Sequence, residues 1–271
     1  MRSKSFKTPE FKAPVDISDE SEKDRENEPT LPERLDDGEA EEEINKKVDL
    51  AAVIDEYLKL ESACFKVNDR NTIIEATVQD LARLVLELKD KLADYDAIVS
   101  DDSSGRLPSL LFRRIINRQK RKSGRKGIQT FFVSSGRHNY SEIISGLREF
   151  FVKNQEQLGR VLLVTEYIDS GRSISRLIGI MQEAGVNFDL AAVSLSGDAA
   201  SYNDQQQLYQ HLRYGGVNNG GLYFFEHPGR GVKKNCDKVH PVKSFVVSQK
   251  KINASRNNIN YLADQLAVLA D

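Results

Sequence analysis

Tryptophan is absent from the 271 residues, and cysteine, methionine and histidine are scarce, at two, two and four. Two cysteines as far apart as Cys64 and Cys236 argue for neither a disulfide framework nor a metal knuckle, so a reducing, cytoplasmic setting is expected. No eighteen apolar residues run together, which argues against a membrane-spanning helix. The opening MRSKSFK carries positive charge with no apolar core behind it, so no secretory signal is expected. Large apolar side chains are also rare in segment 1–43, which is rich in Pro, Ser, Asp and Glu and cannot bury enough surface to offset its ordering entropy. It is expected to be a disordered tail. From Asp16 to Glu43 there are 14 acids and 3 bases, a net of −11, so the whole-chain charge of −2 leaves +9 on the remainder. A near-neutral total therefore hides an acidic tail beside a basic body.

Apolar periodicity organises the rest. Val48, Leu50, Val53, Ile54, Tyr57, Leu58 and Leu60 recur at helical spacing over 44–65. Thr72 and Glu75 have the form of a capping box, ahead of a stripe of Ile74, Val78, Leu81, Val85 and Leu88. These two helices make 44–94 a helical N-terminal extension, packed on the body or on a partner. Beyond Tyr95 the period changes. Strands are expected at 95–100, 128–133, 161–165 and 190–195, with helices at 107–118, 140–153 and 172–184 between them, the last ended by Gly185. Such alternation predicts an α/β fold, a parallel twisted sheet with helices on both faces, over 95–250. In such sheets ligands bind beyond the carboxyl ends of the strands. Leu222 to Phe225 reads as a further strand, 226–244 as a long basic loop, and 251–271 as a final amphipathic helix.

Two loops at strand carboxyl ends stand out. In VLLVTEYIDSGRSI (161–174) four apolar strand residues run into an acid, then Asp-Ser-Gly-Arg-Ser, then a helix. The hydroxyls of Ser170 and Ser173 and the backbone N–H groups of 170–173 would surround one anion at a helix N-terminus. The plainer reading is that Asp169 and Ser170 cap the helix. DAIVSDDSSGRLPSLLF (96–112) repeats the order of strand, Ser-Gly loop and helix.

The 161–173 stretch resembles the PRPP-binding signature of type I phosphoribosyltransferases. The resemblance implies that fold for residues 95–196 and Mg²⁺-dependent transfer of 5-phosphoribose from PRPP to a nucleobase or similar acceptor, a pentosyl transfer that releases pyrophosphate. Position by position, Glu166 fills the second acidic place that holds the ribose, and Asp169 is the loop acid and candidate base. Asp169, Ser170, Gly171, Arg172 and Ser173 form the 5′-phosphate cradle. The first acidic place holds Thr165. Ser103, Ser104, Gly105 and Arg106 occupy the place of the family's pyrophosphate loop, and Asp101 and Asp102 would be outer ligands of Mg²⁺ or else helix caps. Arg137 and His138, in SSGRHNY, stand where the family has a mobile lid.

A basic run, Arg113 to Lys126, reads first as a solvated helix end; it would also steer a polyanion or bind nucleic acid, the less favoured partner. Phe224 and Phe225 read as core and cover, or as stacking partners for a base. No membrane partner is expected, and a homodimer is compatible with the sequence. The rival reading is a non-catalytic module of the same fold that binds PRPP, a nucleotide or RNA.

Overall fold

The computed structural model describes residues 35–64, 70–133, 140–197, 210–217, 223–224, 227–233, 242–243 and 247–271. Three helices come first: α1 (Asp37–Lys47), α2 (Leu50–Cys64) and α3 (Asn71–Leu88), the last continued by a 3₁₀ segment, Lys89–Asp94. Strands and helices then alternate as β1 (Ala97–Asp101), α4 (Asp102–Lys122), β2 (Gln129–Val133), α5 (Tyr140–Leu158), β3 (Arg160–Ile168), α6 (Arg172–Glu183), β4 (Asn187–Leu195) and β5 (Leu212–Val217). A two-residue ribbon, β6 (Val232–Lys233) with β7 (Val242–Lys243), precedes α7 (Gln249–Leu266). No helix among the described residues is long and apolar enough to cross a membrane.

The five strands β1 to β5 form one parallel sheet in the order β2-β1-β3-β4-β5. Period-2 alternation divides their side chains between two cores. Ile98, Leu162, Val164, Ala191 and Val193 join α2, α3, α4 and α7 on one face. Ala97, Val99, Val161, Leu163, Leu190 and Ala192 join α5 and α6 on the other. Strands buried on both faces are nearly continuous in apolar residues, as VLLV (161–164) is.

Several elements differ from the sequence expectation for identifiable reasons. Helix α1 starts inside the segment expected to be a disordered tail; residues 1–34 lie outside the described residues. Asp36 accepts the Gly38 N–H at 2.8 Å, Ala40 and Ile44 are buried, and Arg83 of α3 and Lys89 of the 3₁₀ segment after it meet Glu41 and Glu43. The neutralising cations thus come from a helix far along the chain. Helix α3, expected as part of an extension, is a layer of the fold itself. Its Leu81, Leu84, Val85 and Leu88 have no exposed surface, and the helix lies across β4 and β5.

Strand β5 was not expected, because Gly215-Gly216 reads as a turn. A Cβ on Gly215 would sit 1.9 Å from the Asp80 carbonyl oxygen, and one on Gly216 2.1 Å from Asp80 Oδ1. The glycines let α3 approach the strand backbone, and Ser194 of β4 donates its hydroxyl to the Asp80 carboxylate there. Tyr223 and Phe224, expected in a strand, form a turn, with Leu222 and Phe225 outside the described residues.

Candidate anion site at the strand-order reversal

The strand order reverses at β1 and β3, which pair directly, Ser100 opposite Val164. From β1 the chain leaves through α4 on one face, and from β3 through α6 on the other. Their N-termini therefore flank one crevice at the carboxyl edge, where open α/β sheets take ligands.

The end of β3 is longer than its apolar run predicts. Pairing with β4 continues to Ile168 opposite Leu195, so Thr165 and Glu166 lie inside the strand. Asp169 and Ser170 then emerge as exposed residues, and Gly171 turns the chain at φ +67°, a left-handed conformation that glycine adopts without penalty. The N-cap of α6 is Gly171, which has no side chain to cap the helix. Ser196, just after β4, holds the turn: its N–H reaches the Ile168 carbonyl at 2.9 Å and its hydroxyl the Asp169 carbonyl at 3.1 Å. The clamp faces the loop's carbonyls toward β4. The Arg172 and Ser173 side chains are exposed in the first turn of α6.

At the end of β1, the expected loop 101–106 is instead the strand's last residue followed by the first turn of α4. Asp101 is the N-cap residue, yet its side chain makes no capping bond to the helix. Asp102, Ser103 and Ser104 thus present first-turn N–H groups without an intrahelical acceptor, and Pro108 lies inside the helix, where proline removes one helical hydrogen bond. Gly105 is required for packing, since a Cβ there would lie 2.4 Å from the Val164 carbonyl of β3. The approach seats the α4 N-terminus against the strand that carries the other half of the site. Arg106 is not extended toward the crevice; its guanidinium stacks 4.0 Å over the Phe132 ring.

Glu166 is 4% exposed and accepts the Phe224 backbone N–H. It points to the α3–α4–α7 face, where it fastens the turn at 223–224. Phe224 has no exposed surface, so it is core rather than a stacking platform. The structure thus puts 101–106 and 169–173 at the carboxyl ends of adjacent strands, with β3 running on beyond β1, while Glu166 serves a buried contact. Arg137 and His138 lie outside the described residues. Among the described residues no three His, Cys, Asp or Glu side chains are grouped to hold a metal ion.

One polar cluster beside this region had no sequence signal beyond Glu61 falling one helical turn after Tyr57. The Glu61 carboxylate is 1% exposed. It accepts the Tyr223 hydroxyl at 2.6 Å, Asn258 Nδ2 at 2.8 Å and His227 Nε2 at 2.7 Å. His227 Nδ1 accepts the Gly229 N–H at 3.0 Å, so Nε2 carries the hydrogen that faces Glu61. Burial pushes the Glu61 carboxyl up, but the donors outweigh it and hold it below the ordinary glutamate value. Tyr223 is raised by burial and by neighbouring Tyr57 and Glu61. The cluster ties α2 and α7 to the segment that also carries Phe224.

No protein-family model matches the chain, and a comparison with characterised proteins finds none similar to it.

Proposed function

We propose that the crevice between the ends of β1 and β3 binds the phosphates of PRPP, and that the protein is a phosphoribosyltransferase-like enzyme of type I fold. One observation carries this reading: α4 and α6, whose N-cap residues form no side-chain cap, start from adjacent strands on opposite faces of the sheet where the strand order reverses. Uncapped N–H groups and the positive ends of two helix dipoles favour phosphate oxygens.

The 170–173 turn would hold the 5′-phosphate, with Arg172 and Ser173 reaching it from the first turn of α6. The N–H groups of 103 and 104 would receive the pyrophosphate; Arg106 would join them only by leaving Phe132. Asp169, exposed at the rim, would take the acceptor's proton as the bond to ribose forms and pyrophosphate departs. Mg²⁺ bound with PRPP would supply neutralisation of the leaving pyrophosphate, and Asp101 and Asp102 would be its candidate outer ligands. A cytoplasmic enzyme acting on a nucleobase fits this scheme.

The non-catalytic reading has its own support. Thr165 stands in the first acidic place, and Glu166 in the second is occupied by the Phe224 N–H. A binding module for PRPP or a nucleotide needs the cradle but not the ribose grip. The two readings part in a pyrophosphate-release assay with Mg·PRPP and a panel of nucleobases. Release that disappears in Asp169→Asn supports the enzyme, whereas PRPP binding without release for any base supports the module.

A further inference from the structure

The run Arg113 to Lys126 holds eight Lys and Arg residues and no acid. The fold neutralises much of it. Arg114 meets Asp264 at 2.6 Å, Arg118 and Lys122 share Asp271, Lys120 reaches Asp96 at 3.4 Å, and Arg125 reaches Asp94 at 3.7 Å. The remainder is concentrated. Arg113 and Arg121 of α4 and Arg256 of α7 line a cavity of about 510 Å³ between the two helices, and none of the three has an ion-pair partner among the described residues. Arg256 Nε is buried there with no hydrogen-bond partner. Such a group costs free energy unless something accepts its proton.

Amides complete the wall. Asn117 accepts the Ile128 N–H on Oδ1 at 2.8 Å, so its orientation is set, and its N–H₂ group is left as a donor beside Asn260. No Asp or Glu is among the lining residues; the fourth lining arginine, Arg114, is paired with Asp264. The volume is in the range of small-molecule sites, roughly 300–1,000 Å³. No aromatic ring lines the cavity, so recognition rests on phosphate oxygens and not on base stacking.

We infer that this cavity is a binding site for a compact, multiply charged phosphate compound, such as a nucleoside triphosphate or inorganic polyphosphate. It is separate from the crevice at the carboxyl edge: Arg113 and Arg121 lie ~15 and ~27 Å along α4 from Ser103 at the rise of an α-helix. Guanidinium forks suit phosphate oxygens, and α4 and α7 hold four of them around one concave space, three without an ion-pair partner among the described residues. The inference does not rest on the phosphoribosyltransferase reading.

The test is calorimetric titration of sodium tripolyphosphate and, separately, of ATP into the full chain at ~0.1 M salt, where charges are screened beyond about 10 Å. Arg113→Gln, Arg256→Gln and the Ser170→Ala/Ser173→Ala variant are compared with wild type. Saturable binding that weakens about tenfold or more with each arginine change, and that survives in the serine variant, is expected. Equal affinity for both probes assigns the polyphosphate chain itself as the ligand, and tighter ATP binding assigns the nucleotide. Arg113 is exposed, so its variant should fold as wild type does. No saturable binding, or binding indifferent to Arg113 and Arg256, overturns the inference. So does a single-stranded RNA oligonucleotide that binds more tightly than either probe and depends on the same arginines, since the surface would then read nucleic acid.

Discussion

Replacing Glu61 by Ala would remove the acceptor of three buried donors, the Tyr223 hydroxyl, His227 Nε2–H and Asn258 Nδ2–H, at 2.6, 2.7 and 2.8 Å. Each stranded donor costs about 1–3 kcal/mol, and water entering the vacated space recovers part of the total. A net loss of about 4 kcal/mol is expected, in the range for breaking one side of a buried charged network. At roughly 2–4 °C per kcal/mol for a domain of this size, the midpoint of thermal unfolding should fall by about 8–16 °C. Glu61→Gln keeps the shape and one acceptor but turns an amide N–H₂ toward a donor, so about 2–3 kcal/mol is expected. The sign of the pH dependence follows from the carboxyl being held below its ordinary value. Its stabilisation is complete above the ordinary glutamate pKa and is lost as pH falls through the folded-state value. The stability difference between wild type and Glu61→Gln should therefore be constant near neutrality and shrink in acid. Urea unfolding followed by far-ultraviolet circular dichroism measures both effects. A loss below about 1 kcal/mol for Glu61→Ala, or a gap that widens in acid, would refute the reasoning.

Gly215→Ala would drive a Cβ to 1.9 Å from the Asp80 carbonyl oxygen, backbone against backbone, so α3 must lift from β5. A loss of about 3 kcal/mol or more in urea unfolding is expected, with exchange of the β5 amides accelerated. Asp271 receives Lys122 at 2.5 Å, Gln119 at 2.7 Å and Arg118 at 2.9 Å. Burial alone would raise its carboxyl, yet these partners hold it below the ordinary aspartate value. Being partly exposed and screened, the group is worth about 0.5–1 kcal/mol at neutral pH. Asp271→Asn should lose that amount in low salt and less in 1 M salt, and the difference should vanish as pH falls through the folded-state pKa of Asp271.

The alternation of strands and helices was legible because buried parallel strands announce themselves as short apolar runs, and Gly185 closes α6 at φ +68° where the sequence reads a stop. What escaped depended on partners distant in sequence. Gly215 and Gly216 look like a turn unless α3 is known to cross them. Ser103 to Arg106 look like a loop, since Ser and Gly are poor helix formers; the packing of Gly105 on Val164 stabilises the helical turn. Glu166 looks like a ligand-facing acid until its strand is seen to run on to Ile168 and the Phe224 turn is seen to cover it. The basic run, read as a uniform face, is sorted into paired and unpaired cations only by Asp94, Asp96, Asp264 and Asp271. The turn at Gly171 and the start of α6 at Arg172 fall where the sequence suggests, because a glycine in the left-handed region is a local property.

The central claim, a phosphate cradle at the reversal of strand order, is tested most directly by calorimetric titration of Mg·PRPP into wild type and into the Ser170→Ala/Ser173→Ala and Gly105→Ala variants. The account predicts saturable binding to wild type, weakened about tenfold or more in each variant while Arg113→Gln binds as wild type does. Absence of heat from folded wild-type protein, or binding that ignores both strand ends, would contradict it.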